Sequence, residues 1–242
     1  MFRVKTLMFL LLVQACAVMA QEPEYRAKNY PDGGGLMYDG YFIGDKPVSI
    51  TRYFEDGRIS SVQQFDADGN STIVIYTVGA TPYAEGAYKG KKRDGVWRFF
   101  SPKDGHPVIL ITYNNGVKDG QYMEYFDNGV ALDSMNYSAD KIDGERVKCF
   151  INGQKQAVIN YKAGVLDGAY ISFSDDGSKV VEGVFSEGVR DGVWRFYDND
   201  GSVTEYKFKK GHCKKYEEFL KKESAEADID RHIAEPSFES IQ

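Results

Sequence analysis

Four aspartates, Asp119, Asp143, Asp167 and Asp191, recur every 24 residues, the spacing a ladder of cation sites would need. Each is followed by a glycine. Calcium takes about six to eight oxygens per site, whereas a single carboxylate beside a glycine is what turn and bulge geometry selects. The expectation is therefore a structural role and no metal. His106, His212 and His232 share no ligand-type spacing, and His212 beside Cys213 is one adjacent pair, where a site needs three or four converging ligands. There is no P-loop, zinc-protease helix or nucleophile elbow, and Gly33 to Gly35 lacks the flanking order of a phosphate loop. Nothing singles out a glycosidase-like pair among 36 acidic residues. No catalytic residue, metal or cofactor is expected, and the chain reads as no enzyme. What the sequence does repeat is large rings: Trp97, Tyr122, Tyr170 and Trp194 occupy one slot of successive units. Rigid aromatics dominate binding energy when a partner desolvates them, so these four are the candidate partner-binding residues; the same rings would also hold a sheet together.

The elements that position them follow from the period. Aligned on a leading aromatic, the units start at Tyr88, Tyr113, Tyr137, Tyr161 and Phe185, and each carries Asp-Gly six residues on. The ring slot comes three residues after that aspartate and holds Trp97, Tyr122, Arg146, Tyr170 and Trp194; a further aromatic slot holds Phe100, Tyr125, Cys149, Phe173 and Tyr197. The units close on Asp104-Gly105, Asn128-Gly129, Asn152-Gly153, Asp176-Gly177 and Asp200-Gly201, and between Gly105 and Gly201 the glycine beat alternates strictly, with Asp140 once in the glycine slot. Asn-Gly and Asp-Gly favour type I′ hairpin turns, and the runs between are rich in β-branched and aromatic residues. This is a repeat protein, expected as an all-β, elongated antiparallel β-meander of two strands per unit. The glycines of the internal Asp-Gly pairs fall inside strands, which calls for a bulge, a bend or a ring lying over bare backbone. Trp97, Tyr122, Tyr170 and Trp194 are expected to cover neighbouring glycines.

The ends differ. Residues 1–20 have Arg3 and Lys5 before an apolar run from Leu7 to Val18 and small residues up to Ala20, the pattern of a signal peptide, so the mature chain is expected to begin at Gln21 outside the cytoplasm. A rival reading takes Val13 to Cys16 as a weak lipobox with a lipidated Cys16. Residues 21–39 read as a leader or linker, 40–211 as the repeat domain and 212–242 as a C-terminal helix and tail. In that helix Tyr216, Phe219 and Leu220 share one face, expected to cap the last strand. Cys149 reads as a small buried hydrophobe.

No other stretch has the apolar length to cross a bilayer. Without residues 1–20 the chain has 28 Lys and Arg against 36 Asp and Glu, a net charge of −8. Such a surface repels phosphate backbones and anionic headgroups, which excludes nucleic acid as a partner and suits a basic protein.

The segments "YNNGVKDGQYMEYFDNG", "YKAGVLDGAYISFSDDG" and "FSEGVRDGVWRFYDNDG" resemble the variant MORN repeat of the YwqK-like proteins, described as antitoxin components. The resemblance runs from Tyr88 to Gly201 and more loosely from Tyr41 to Gly79. It implies a β-repeat sheet used for protein contacts and, for the wider MORN group, membrane association. The functional expectation is an exported, non-enzymatic scaffold binding another protein, antitoxin- or immunity-like; the alternative is an envelope-associated protein held by a lipid on Cys16 or by sheet contacts with lipid or glycan.

Overall fold

The computed structural model describes residues 21–223; the signal peptide and lipobox readings, His232 and the tail beyond 223 lie outside the described residues. The chain forms one antiparallel meander of seventeen strands in which each row pairs with the next in sequence. The first six strands are β1 (Glu24–Asn29), β2 (Leu36–Ile43), β3 (Lys46–Tyr53), β4 (Ile59–Phe65), β5 (Ser71–Tyr76) and β6 (Pro82–Lys89). The regular units follow as β7 (Lys92–Phe100), β8 (Pro107–Asn114), β9 (Val117–Tyr125), β10 (Ala131–Ser138), β11 (Lys141–Ile142) and β12 (Gly144–Cys149). The last are β13 (Lys155–Lys162), β14 (Val165–Phe173), β15 (Lys179–Ser186), β16 (Val189–Tyr197) and β17 (Val203–Phe208), and the helix α1 (Lys214–Glu223) ends the described chain. Both β11 and β12 pair with β10 and are two pieces of one row. At about 4.8 Å per row, sixteen rows make a sheet roughly 70 Å long.

The sheet starts earlier than expected. Residues 24–29, read as leader, pair with β2 from Glu24↔Phe42 to Asn29↔Leu36. Tyr25 and Tyr53 both donate to the buried Asp39 carboxylate, at 3.1 Å each, and Tyr30 donates to the carbonyl of Tyr53. Those tyrosines, and not the turn-like Pro31 and the glycine run, decide where the first row lies. Burial, then the Asp39 charge, pushes the Tyr53 phenol up to about 12.

The turns are of two kinds, and their assignment reverses the sequence expectation. At Asn115-Gly116, Ala139-Asp140, Ala163-Gly164, Glu187-Gly188 and Lys210-Gly211 both residues have positive φ, the type I′ requirement. In the closing Asn-Gly and Asp-Gly pairs only the glycine is left-handed. There Gly129 N–H bonds the Phe126 carbonyl while Phe126 N–H bonds Val130, a three-residue type I loop with a glycine bulge. The side chain before the glycine adds a bond: Asn128, Asn152, Asp176 and Asp200 each accept the amide two residues on. The shorter turns tolerate Ala163 and Glu187 in left-handed backbone because each is fastened to the previous unit. Gly164 N–H reaches the carbonyl of Ile142, and Gly188 N–H that of Leu166.

That fastening explains four of the five aspartates of the internal Asp-Gly pairs, whereas Asp119 accepts from the Asn114 side chain at 3.3 Å. Asp94 accepts from the amide of Asn115, Asp143 from Ala163, Asp167 from Glu187 and Asp191 from Lys210. Each carboxylate caps the next unit's turn. The glycine after it has positive φ, 117° at Gly120 and 114° at Gly168, and makes a bulge: between the pairs Ile111↔Tyr122 and Tyr113↔Lys118, one residue of β8 faces three of β9.

α1 packs on the ring-bearing face of the last rows, with Tyr216 against Phe196, Tyr206 and Phe208 at centroid distances of 5.4, 5.1 and 5.3 Å. Tyr216→Ala is expected to lower stability by about 3 kcal/mol. Because units touch only neighbours, amide exchange should accelerate in β16 and β17 and stay unchanged in β6 to β8.

Candidate functional site

Alternation along each strand and the register place the ring slots on one face of the sheet, here called inner. In one column Trp97 sits beside Ile111, Ile111 beside Tyr122 and Tyr122 beside Met135. The column continues as Arg146, Ile159, Tyr170 and Gly183, and ends with Trp194 beside Tyr206. The four sequence candidates are thus brought onto one line, but they are not equivalent. Trp97 and Trp194 are fully buried and present nothing to a partner, whereas Tyr122 and Tyr170 are half-buried.

The tryptophans are buried because two glycines make room. A Cβ on Gly86 would stand 2.3 Å from the Trp97 ring, and one on Gly183 would stand 2.2 Å from the Trp194 ring. The indole N–H of Trp97 donates to the Ala87 carbonyl at 2.9 Å, and that of Trp194 to Val184 at 3.1 Å. Tyr88 and Phe185 meet them edge-on at 5.0 and 4.9 Å, and the guanidiniums of Arg93 and Arg190 lie over the rings at 4.6 and 4.8 Å. Two closed aromatic clusters result, one around Trp97 and one around Trp194 and α1. The expectation that rings cover glycines holds for both tryptophans; in the preceding strand Tyr122 and Tyr170 have Ile111 and Ile159, and although Gly183 stands beside Tyr170 in the following strand, the ring that fills its space is Trp194.

Between the clusters the column changes character. Arg146 stands in the ring slot and is 4% exposed, and its Nε donates to both oxygens of Asp133, at 3.0 and 3.1 Å, the latter also 4% exposed. Burial is the largest single effect and works against the guanidinium's charge, yet the bonds and charge of Asp133 together with Tyr161 hold the Arg146 pKa above its ordinary value. Lys148 lies directly beside Asp133, and Glu124 beside Asp133 on the other side. Tyr122 donates to Glu124 at 3.1 Å. Burial, then the Glu124 charge, raises the Tyr122 phenol. Tyr137 and Tyr161 flank the group, both half-buried. Arg146 was legible as an exception in its slot; its partner was missed. The signal was present, since the one unit with arginine in the ring slot is also the one with an acid four residues before its leading aromatic, where the others have Ala84, Ile109, Ala157 and Val181.

The opposite, outer face carries an unbroken line of partly exposed side chains: Leu110, Met123, Ser134, Val147, Val158 and Ile171, each beside the next. None belongs to either aromatic cluster. Beside Leu110 an open depression of about 560 Å³ is lined by Arg98, Asp104, His106, Pro107 and Tyr125 among others. His106 Nδ1 is 2.6 Å from Asp104, which with a bond from Ser101 lowers the Asp104 pKa. Cys149 is half-buried rather than buried, and burial raises its thiol.

No protein family matches the chain, and no curated protein does. Among solved structures, a crystal structure described as a protein with unknown function, from Bacteroides fragilis, is similar over 76% of this chain and 90% of its own, at 6% identity and a TM-score of 0.11. At that score the likeness bears on neither fold nor function.

Proposed function

We propose that this chain is an exported, non-enzymatic repeat scaffold that binds a protein partner across the inner face of its middle units, in an antitoxin- or immunity-like role. The observation that carries the reading is the composition of that face between the aromatic clusters. Four half-buried tyrosines, Tyr122, Tyr137, Tyr161 and Tyr170, surround the Arg146–Asp133 pair with Lys148 and Glu124 at hand. Tyrosine and arginine are the residues on which interface energy concentrates, and among the described residues nothing packs over this stretch as α1 packs over the next. The closing turns along one long margin carry Asp56, Asp104, Asp127, Asp176 and Asp200, a rim that favours approach of a basic partner.

The test compares immobilised wild type with Tyr122→Ala/Tyr170→Ala and with Lys148→Glu, each checked for intact far-ultraviolet dichroism. A partner retained from the native extracellular or envelope fraction by wild type should be held at least tenfold more weakly by both variants. Equal retention by the folded variants overturns the assignment of this face.

A further inference from the structure

We infer that the outer face pairs with the outer face of a second copy of this chain, through a two-fold axis parallel to the strands and passing between Ser134 and Val147. This rests on different residues and the opposite face from the partner reading above. The apolar line from Leu110 to Ile171 is bounded at each end by the same pair in the same order. Glu85 then Arg98 precede it, with Glu85 beside Arg98 and Arg98 beside Leu110. Glu182 then Arg195 follow it, with Ile171 beside Glu182 and Glu182 beside Arg195.

That order is self-complementary. A two-fold through the centre of the line reverses it, so Leu110 faces Ile171, Met123 faces Val158 and Ser134 faces Val147. The same rotation lays Arg98 of one copy on Glu182 of the other, and Glu85 on Arg195. Every charged position meets its opposite; had either end been written Arg then Glu, like charges would meet instead. Such an isologous contact closes on itself. Within one chain the end charges are already paired, Arg98 with Glu85 at 3.3 Å and Glu182 with Lys179 at 2.7 Å and Arg195 at 3.5 Å, so the second copy extends existing networks and strands no lone charge. The depression beside Leu110 is where Ile171 of the other copy lands.

The area is adequate. Ten rows from Glu85 to Arg195 at about 4.8 Å, by three side chains along each strand at about 6.7 Å per alternate residue, cover roughly 800 Å² per copy, the size of a standard stable interface. The axis keeps Ser134 and Val147 at the centre of the contact and the charges at the rim, where they set register.

The experiment is sedimentation equilibrium of the full chain across the micromolar to near-millimolar range, with Arg98→Glu, Glu182→Arg and the double variant. Positions 98 and 182 are seven rows apart, about 34 Å in one chain, so one cannot compensate the other except between copies. Wild type should dimerise, each single variant should weaken the dimer at least tenfold, and the double variant should regain most of the loss. Met123→Lys, in the apolar line, should weaken it without rescue by either charge change. A wild type that stays monomeric, a dimer indifferent to all these changes, or a double variant no better than the singles overturns the proposal.

Discussion

Gly183→Ile unfolds the C-terminal units, and Trp194→Tyr added to it restores them: this is the largest effect expected of any substitution in the molecule. A Cβ at position 183 lands 2.2 to 2.6 Å from three atoms of the Trp194 ring, closer than any packing allows. The indole must leave, giving up its bond to Val184, its edge contact with Phe185 and its stack on Tyr170. Loss of a fully buried tryptophan costs about 3–5 kcal/mol, and a displaced ring adds overpacking strain of about 1–3 kcal/mol. Backbone conformation contributes nothing, because Gly183 is not left-handed. The double change rebuilds a pair the protein already uses, Ile159 beside Tyr170, and should recover most of the loss. Urea denaturation of wild type, the single and the double variant, followed by far-ultraviolet dichroism and by amide exchange in β14 to β17, checks both halves. A stable Gly183→Ile protein would show that the ring is not pinned by its glycine.

The second large effect is at the centre of the sheet. Arg146→Met leaves Asp133 buried without its cation, and Asp133→Ala leaves the guanidinium without its anion; each should cost about 3–5 kcal/mol. Replacing both, as Asp133→Ala with Arg146→Tyr, reproduces the residues of the next unit, Ala157 and Tyr170, and should be neutral or stabilising, since apolar replacement of a buried pair commonly is. Thermal melts of the three variants decide it. If the double change is as damaging as the singles, the pair holds the fold in a way the neighbouring units do not share.

The period, the meander and the capping helix were all readable, because turn glycines and leading aromatics are local signals that survive in a single chain. Turn types were not. An Asn-Gly pair favours type I′ only when two residues separate the strands, and here the third loop residue turns Asn128-Gly129 into a type I loop with a glycine bulge. Loop length depends on register, which pairing across the strands sets. The first row escaped notice because its polar strand is held by Tyr25, Tyr30 and Tyr53 through hydrogen bonds, which no hydrophobic alternation announces. The ring slot was identified, but exposure was not: whether a ring is buried depends on its neighbour in the preceding strand, Gly86 or Gly183 for the tryptophans and isoleucine for Tyr122 and Tyr170. Comparing units at that neighbouring position would have separated the two cases, since glycine occurs there only where the ring slot holds tryptophan. The outer line needed strand register, because its members keep the same 13- and 11-residue beat as the turns and only the pairing shows that they stand side by side on one face.

The order of the rows follows the order of the sequence from Glu24 to Phe208, so the beginning and finish of the sheet sit at its far margins. A tug between them is directed along the hydrogen bonds instead of across them, and peels one strand after another where a shear-loaded sheet would resist as a block. Such a ribbon yields gently and lengthens many-fold, with the tryptophan clusters as its two firm catches and the ionic middle as a single intermediate one: mechanically, the molecule is a zipper.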